Sequence, residues 1–387
     1  MTTTTSRLHV VDALRGFALV SIMLLHNLEH FDFYFFPSTL PQWLYPIDQG
    51  VWNTLFFLFS GKSYAIFSIL FGVTFFIQYN NQARRGLDFR ARFAWRMVLL
   101  FAFGMVNSCM FEGDILSFYA VLALALIVTA RMSDGWTFAV AVFLLLQPYN
   151  FYELVVGIIN PQLKMPSPQS SAYFDRMTDY ITKSSISQTV WGNLTNGKVG
   201  VVLWSWEEGR IFQAPGLFIL GMLAGRRGVF DLSHYNAKSW KTAFVVSLIV
   251  FLPMYFLKIN LKSWFAFESI SRPLMSLTTS LTNLSFVIVL ITAFVLLYQL
   301  PSFNGALSKL SVLGKMSLTN YILQSIMGSF VYYGFGLAMY QYTGATYSLL
   351  IGVVLVMIQW LFCRWWLKHF QQGPLESLWH KWTWMKI

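Results

Sequence analysis

Apolar segments recur along the whole chain at lengths that suit membrane-spanning helices. Each run covers about 15 to 27 residues, and most connections between runs are short and polar. The strands of a membrane barrel would instead alternate apolar and polar residues at every second position. The pattern therefore predicts an all-α integral membrane protein with about ten transmembrane helices. The predicted spans are residues 11–28, 54–79, 94–111, 115–130, 136–157, 211–225, 242–258, 273–299, 316–335 and 346–367.

The composition agrees with a bilayer environment. Apolar residues make up 56% of the chain and charged residues only 11%, whereas a soluble domain carries about 25% charged residues because its surface faces water. No Pro/Gly/Ser-rich linker divides the sequence. Residues 1–387 are therefore predicted to form a single polytopic membrane domain.

The charges are distributed unevenly between the two predicted sides. Of the 27 Lys and Arg residues, 17, from Arg7 to Lys386, lie in segments predicted inside and eight lie outside, whereas 11 of the 16 acids lie outside. This positive-inside bias predicts that both termini are cytoplasmic. The net charge of +11 then reflects topology and attraction to anionic membrane lipids, and a nucleic-acid partner is excluded.

The longest connection, residues 158–199, is predicted outside. Within it, apolar side chains recur at helical spacing opposite charged ones, which favours a short helix lying on the membrane surface. This segment is either a lid over a cavity or an ordered loop packed on the bundle. The apolar positions are Tyr173, Phe174, Met177, Tyr180 and Ile181.

Three ionisable residues interrupt the first span on one helix face. At 100° per residue, Arg15 and His26 lie within about 20° of each other, and Asp12 lies about 40° to the other side of His26. The rise from Arg15 to His26 is about 16.5 Å, roughly half the hydrocarbon core. Such groups are costly in lipid, so the stripe is predicted to face a cavity or polar partners. Alternatively, Asp12 and Arg15 pair to anchor the inner helix end, and His26 is an interfacial residue.

Polar residues also occur in the second and ninth spans. Ser60 is followed by a G-K-S sequence that consists of Gly61, Lys62 and Ser63. This sequence lacks the first glycine of a P-loop, so nucleotide binding of that type is excluded. Lys62 is expected to point to a cavity or to extend towards the interface. Asn320 and Gln324 share one face of the ninth span, where hydrogen bonds between helices are favoured over substrate contact.

These residues carry a resemblance to known families. Arg15-x10-His26 followed by F-F-L-F-S-G (56–61) resembles the pattern of acyltransferase family 3. The whole chain resembles the YeiB-like family of bacterial membrane proteins, which is grouped with a transmembrane acyltransferase superfamily that includes heparan-α-glucosaminide N-acetyltransferase. The matching segments are D-A-L-R-G-F-A-L (12–19), G-K-S-Y-A-I-F-S-I-L-F-G (61–72), E-G-D-I-L (112–116), G-K-M-S-L-T-N-Y-I-L-Q-S (314–325) and G-P-L-E-S-L-W (373–379).

The resemblance implies a reaction and roles for the polar residues. The protein would sit in the bacterial cytoplasmic (inner) membrane and move an acyl group from cytosolic acyl-CoA to a glycan or lipid headgroup of the envelope, with no covalently bound cofactor. His26 would act as the general base, and donor binding is assigned to Arg15 and Lys62. Supporting polar roles fall to Asp12, Ser60, Asn320 and Gln324.

Two other functions remain as alternatives. The same polar stripe suits a transporter or flippase, although no internal repeat of the kind found in many transporters occurs. His26-Asn27-Leu28-Glu29-His30 also fits H-x-x-E-H, the signature of a zinc hydrolase. Because no third ligand is evident in the sequence, we predict that the protein holds no zinc.

Overall fold

The computed structural model describes residues 8–385, apart from the side chain of His234. Arg7 and Lys386, two of the bases predicted inside, lie outside the described residues. Within this range the only regular elements are helices, and no strand occurs. The predicted all-α class is therefore confirmed.

Twenty α-helices make up the described chain. The first ten are α1 (His9–Leu28), α2 (Tyr45–Phe59), α3 (Ser63–Ala83), α4 (Arg90–Ser108), α5 (Leu116–Leu122), α6 (Ala125–Thr129), α7 (Asp134–Leu145), α8 (Pro148–Ile159), α9 (Gln169–Asp175) and α10 (Thr178–Ile181). The others are α11 (Ile186–Gly192), α12 (Lys198–Glu207), α13 (Arg210–Arg226), α14 (Ala237–Trp264), α15 (Glu268–Tyr298), α16 (Pro301–Ser308), α17 (Ser311–Lys315), α18 (Ser317–Tyr332), α19 (Ala345–His369) and α20 (Pro374–Trp384).

Five of these helical segments are long and apolar enough to cross a membrane. A sixth crossing results if α7 and α8, which meet at a bend of 51°, count as one span. The chain is therefore a multi-pass helical membrane protein. The five segments are His9–Leu28, Gln42–Ala83, Ala237–Trp264, Glu268–Tyr298 and Ala345–His369.

Helices also lie in the other predicted spans, but they are shorter or more charged. Helix α13 has 17 residues and α18 has 16, so each rises only about 25 Å, less than the hydrocarbon core of about 30 Å. The apolar stretch Leu116–Thr129 is shorter still, and α4 contains Arg90, Arg92 and Arg96. Ten crossings and cytoplasmic termini therefore stay predictions.

Close contact between α3 and α13 forms the centre of the bundle. A Cβ at Gly72 would collide with the backbone carbonyl of Phe218, and one at Gly221 would collide with that of Ile69. The two helix backbones can approach this closely only because glycine lacks a side chain. Helix α3 is thereby fixed between α13 and α1.

The predicted outer segment packs on the end of the bundle. Met177, Tyr180 and Ile181 are buried, while Asp179, which lies between them, is exposed. The predicted single surface helix is in fact two short helices, α9 and α10, broken at Arg176–Met177. The buried residues join a cluster with Phe31 and Phe111, so the segment covers the region where α1 ends.

Candidate functional site

The chain reverses sharply where α1 ends. His30, Phe31, Asp32 and Tyr34 have φ angles between 50° and 67°, a left-handed conformation that side-chain-bearing residues rarely adopt. The N–H of Phe31 donates to the carbonyl of His26 at 2.7 Å, and that of Tyr34 donates to the carbonyl of Glu29 at 2.9 Å. Backbone in this strained state is concentrated at functional sites. The reversal brings Asp32 back beside the last turn of α1.

This reversal assembles a cluster of one imidazole and two carboxylates. Nδ1 of His26 lies 3.1 Å from Oε2 of Glu29, with 21% and 7% of the two side chains exposed. One ligand-type atom each of His26, Glu29 and Asp32 lies within 4.8 Å of the others. The imidazole packs edge-on against Phe111, with ring centroids 5.0 Å apart. We call these three residues the His26 cluster.

A fourth titratable group, Glu112, lies beside the cluster and is fully buried. Its Oε2 accepts a hydrogen bond of 2.8 Å from the hydroxyl of Tyr180 in α10, whereas its Oε1 has no partner among the described residues. Burial, reinforced by the charge of Asp32, raises the pKa of Glu112 to about 8 although the Tyr180 bond opposes this. Burial and the charge of Glu29 likewise raise the pKa of Asp32 well above its usual range.

Contacts of the neighbouring Asp114 stabilise the turn that carries Glu112. Asp114 accepts a hydrogen bond of 3.1 Å from the N–H of Ser117 in the first turn of α5, which stabilises the start of this helix. It also pairs with Lys198 of α12 at 3.1 Å. A Cβ at Gly113 would collide with the carboxylate of Asp32, so this turn fits closely against the His26 cluster.

His30 belongs to a different environment. Its Nε2 lies 2.9 Å from Oγ of Ser348 and 3.1 Å from Oγ1 of Thr343, and its ring stacks on Tyr332 at 4.8 Å. Burial lowers the pKa of His30 to about 4. The two histidines of the H-x-x-E-H sequence therefore do not converge, because the backbone reversal directs His30 towards the start of α19.

Arg15 lines a separate cavity of about 130 Å³. Its Nη1 pairs with Asp12 at 3.1 Å, and Nη2 donates a short hydrogen bond to Thr74 in α3. Other polar groups on the cavity wall are Gln78 and Arg96. Arg96 is buried and its guanidinium lies 4.0 Å from the ring of Trp379 in α20.

The residues that line this cavity do not include His26. Leu116 and Tyr321 line the cavity, and the Tyr321 hydroxyl accepts a bond of 3.3 Å from the N–H of Ile115. The segment 111–115 lies between, since Phe111 packs on His26 and Leu116 lines the cavity. One turn of chain separates the two polar regions.

The remaining predicted residues are dispersed. Lys62 and Ser60 do not line the Arg15 cavity. Gln324 donates to the carbonyl of Leu19 and to Gln359, both at 3.2 Å, and the Asn320 amide donates to the carbonyl of Leu313 at 3.0 Å. These last two residues thus join α18 to α1, α17 and α19, as the preference for hydrogen bonds between helices predicted.

Sequence patterns did not reveal Glu29 and Asp32 as partners of His26, nor Arg96 as a neighbour of Arg15 on the cavity wall. The i, i+3 spacing of His26 and Glu29 could have predicted their contact from the sequence. The contact of Asp32 with His26 could not be predicted, because it depends on the left-handed backbone reversal. The structure also supplies the third metal-ligand candidate that the sequence lacked, since His26, Glu29 and Asp32 present one nitrogen and two oxygens together. These types of ligand suit Zn²⁺ or other divalent metals.

Comparison with known proteins identifies relatives along nearly the full length. The chain is 27% identical over 396 residues to the uncharacterized protein YeiB of Escherichia coli, covering 96% of this chain and 95% of YeiB. It is 24% identical over 398 residues to the uncharacterized protein YxaH of Bacillus subtilis, covering 99% and 96%. The chain is similar to both proteins over nearly its whole length.

A family described as a protein of unknown function (DUF418) matches residues 224–386 of this chain. The matched region contains Asn320 and Gln324 but neither Arg15 nor His26. No solved structure matches. The expected relationship to acyltransferases stays a prediction.

Proposed function

We propose that this YeiB-like protein is a membrane-embedded acyltransferase that moves an acyl group from acyl-CoA on the cytoplasmic side to a hydroxyl or amine acceptor of the envelope. The supporting observation is the His26–Glu29 pair, in which a carboxylate 3.1 Å from Nδ1 orients an imidazole. When Nδ1–H donates to Glu29, Nε2 is unprotonated and able to accept a proton. No hydrogen bond to Nε2 occurs within residues 8–385.

The proposed reaction uses these groups in sequence. Nε2 of His26 takes the proton of the acceptor hydroxyl or amine as the acceptor oxygen or nitrogen attacks the thioester carbonyl. The carbon–sulfur bond breaks, and the coenzyme A thiolate leaves with the proton that the imidazolium returns. Glu29 stabilises the imidazolium that forms between these steps. Arg15 and Arg96 line the separate cavity, and both would attract phosphate groups of the donor.

This mechanism requires the segment 111–115 to move, because it separates the cavity from His26. A thioester bound beside Arg15 reaches Nε2 only when Leu116 and Tyr321 part. The proposed role of Glu112 and Asp114 is to hold this turn closed until the donor is bound.

The experiment compares His26→Gln with His30→Gln in purified protein. Both changes replace an imidazole at the outer end of α1 with an amide, but only His26 has the geometry of a base. We expect His26→Gln to lower the rate of acyl transfer from labelled acyl-CoA to envelope extract by about 10²–10⁴-fold, and His30→Gln to stay within a few-fold. Arg15→Gln should weaken acyl-CoA binding and leave turnover at high donor concentration.

A proton-coupled carrier is the second candidate, and a specific observation favours it. Glu112 and Asp32 both have raised pKa values for reasons of burial, and buried protonatable groups in membrane proteins mark proton pathways. Wild-type protein that binds no acyl-CoA, yet moves a lipid or solute across proteoliposomes in response to a proton gradient, would replace the enzyme proposal with this one.

A further inference from the structure

Lys62 is a buried cation without a partner. It lies in the break between α2 and α3 and is 7% exposed. Its ammonium lies 5.8 Å from the ring centroids of both Phe57 and Phe286. Within the described range 8–385, the ammonium of Lys62 forms no ion pair and no hydrogen bond. Burial of an unpaired charge is costly, and an anion bound beside the Lys62 ammonium would offset this cost.

Two more cations lie around Lys62. The guanidinium of Arg210, the first residue of α13, lies 3.9 Å from the ring of Tyr64, which is two residues beyond Lys62. Lys258 follows Tyr255 by three residues on α14, and the Tyr255 ring contacts that of Phe57 at 5.5 Å. The charges of Lys258 and Arg210 both repel that of Lys62. Repulsion among three cations favours an anion between them.

Neutral polar side chains of α13 and α15 lie beside Arg210 and beside the break between α2 and α3. Oε1 of Gln213 lies 3.5 Å from Arg210, and Nε2 of Gln213 donates to Oγ of Ser280 at 2.6 Å. Gly61 has a φ of +74°, and any side chain there would collide with the amide of Asn283. The break between α2 and α3 can therefore approach Asn283 of α15 this closely only because residue 61 is a glycine.

A neighbouring carboxylate, Glu208, does not neutralise Lys62. Glu208 acts electrostatically on Lys258, but its side chain is exposed. Among the described residues it forms no ion pair with Lys62, Arg210 or Lys258. The cluster therefore keeps a positive charge.

We propose that Lys62, Arg210 and Lys258 form a binding site for a phosphate group. Lysine and arginine side chains are the usual ligands of phosphate oxygens. The bilayer is the expected source, because only 11% of the apolar window of α14 is buried and this side of the bundle faces lipid. The site is separate from the Arg15 cavity, and the inference does not rest on acyl transfer.

The test measures retention of phosphatidylglycerol by protein purified from mixed vesicles of phosphatidylcholine and phosphatidylglycerol, using native mass spectrometry. Lys62→Met replaces the ammonium with an unbranched apolar side chain of similar length. Lys262→Met is the matched control, since Lys262 is an exposed lysine near the end of α14, the helix that also carries Lys258. We expect Lys62→Met to retain about tenfold less phosphatidylglycerol than wild type, because the variant loses a charge-assisted hydrogen bond to the phosphate. Lys262→Met should match wild type, and phosphatidylcholine retention should not change.

Added glycerol 3-phosphate distinguishes the two sources of phosphate. If it fails to displace phosphatidylglycerol, the site takes a lipid headgroup. If it displaces the lipid or raises the unfolding temperature of wild type but not of Lys62→Met, the site takes soluble phosphate esters. Should Lys62→Met fail to fold, Lys62→Arg and Arg210→Gln replace it, with retention kept in the first and lost in the second. Equal phosphatidylglycerol retention by wild type and a folded Lys62→Met, with no response to glycerol 3-phosphate, would overturn the proposal.

Discussion

The stability of this protein should fall as the pH rises from about 5 to 8, and Glu112 should cause much of the fall. The pKa of Glu112 is raised from 4.5 to about 8 in the folded state, so between these values the folded chain binds a proton that the unfolded chain has released. Stability contributed by that proton is complete below the unfolded pKa and is lost as the pH rises through the folded pKa. The groups that face Glu112 are Asp32, Tyr180 and Tyr333. Asp32, with its own raised pKa, adds to the effect in the same direction.

The size of the effect follows from the pKa difference. At about 1.4 kcal/mol per pKa unit, the change from 4.5 to about 8 corresponds to a loss on the order of 5 kcal/mol. An unfolding entropy of about 2 cal/mol/K per residue over 387 residues converts this loss into roughly 6 °C. The assay is thermal unfolding in detergent, followed by tryptophan fluorescence at one scan rate from pH 5 to 9.

Glu112→Gln is the decisive variant, because glutamine imitates the protonated acid and does not titrate. We expect its unfolding temperature to vary less with pH than that of wild type and to exceed it above pH 8. The slope that remains should reflect Asp32 together with His30, whose lowered pKa makes stability rise with pH up to about 6.5 and so opposes the fall. Glu268→Gln, a change at an exposed position, should keep the wild-type slope. A wild-type unfolding temperature that stays flat or rises over this range, or an unchanged slope in Glu112→Gln, would refute the reasoning.

Three further predictions address metal content, packing and topology. We expect purified protein to hold no stoichiometric metal; elemental analysis that finds one metal per chain, lost in Asp32→Asn, would revive the hydrolase alternative. Gly72→Ala should lower the free energy of unfolding by about 1–3 kcal/mol or more, because the new Cβ would collide with the backbone of Phe218. In the control Gly50→Ala, the new Cβ meets nothing within 4 Å, so the unfolding temperature should stay the same or rise. A reporter active only in the cytoplasm, fused after Ile387, should give signal; signal from a periplasmic reporter instead would reverse the predicted sidedness.

The sequence by itself determined the class of the protein and much of its local structure. Apolar runs of spanning length and a low content of charge leave lipid as the only solvent for such a surface, so the helical membrane fold followed from composition and periodicity. The i, i+3 spacing likewise placed Asp12 beside Arg15, and they pair at 3.1 Å. Local interactions of this kind depend on residues within one helical turn, which a sequence specifies directly.

Only the tertiary structure decided which distant groups meet. The left-handed reversal after α1 returns Asp32 to His26 and turns His30 away, and no helical periodicity extends through such a backbone. Glu112 joins them from a turn about 80 residues on, held by Tyr180 from the outer segment. Three elements far apart in the chain therefore build one buried acidic cluster. Its raised pKa values arise from burial, which is a property of the packed bundle rather than of any single segment.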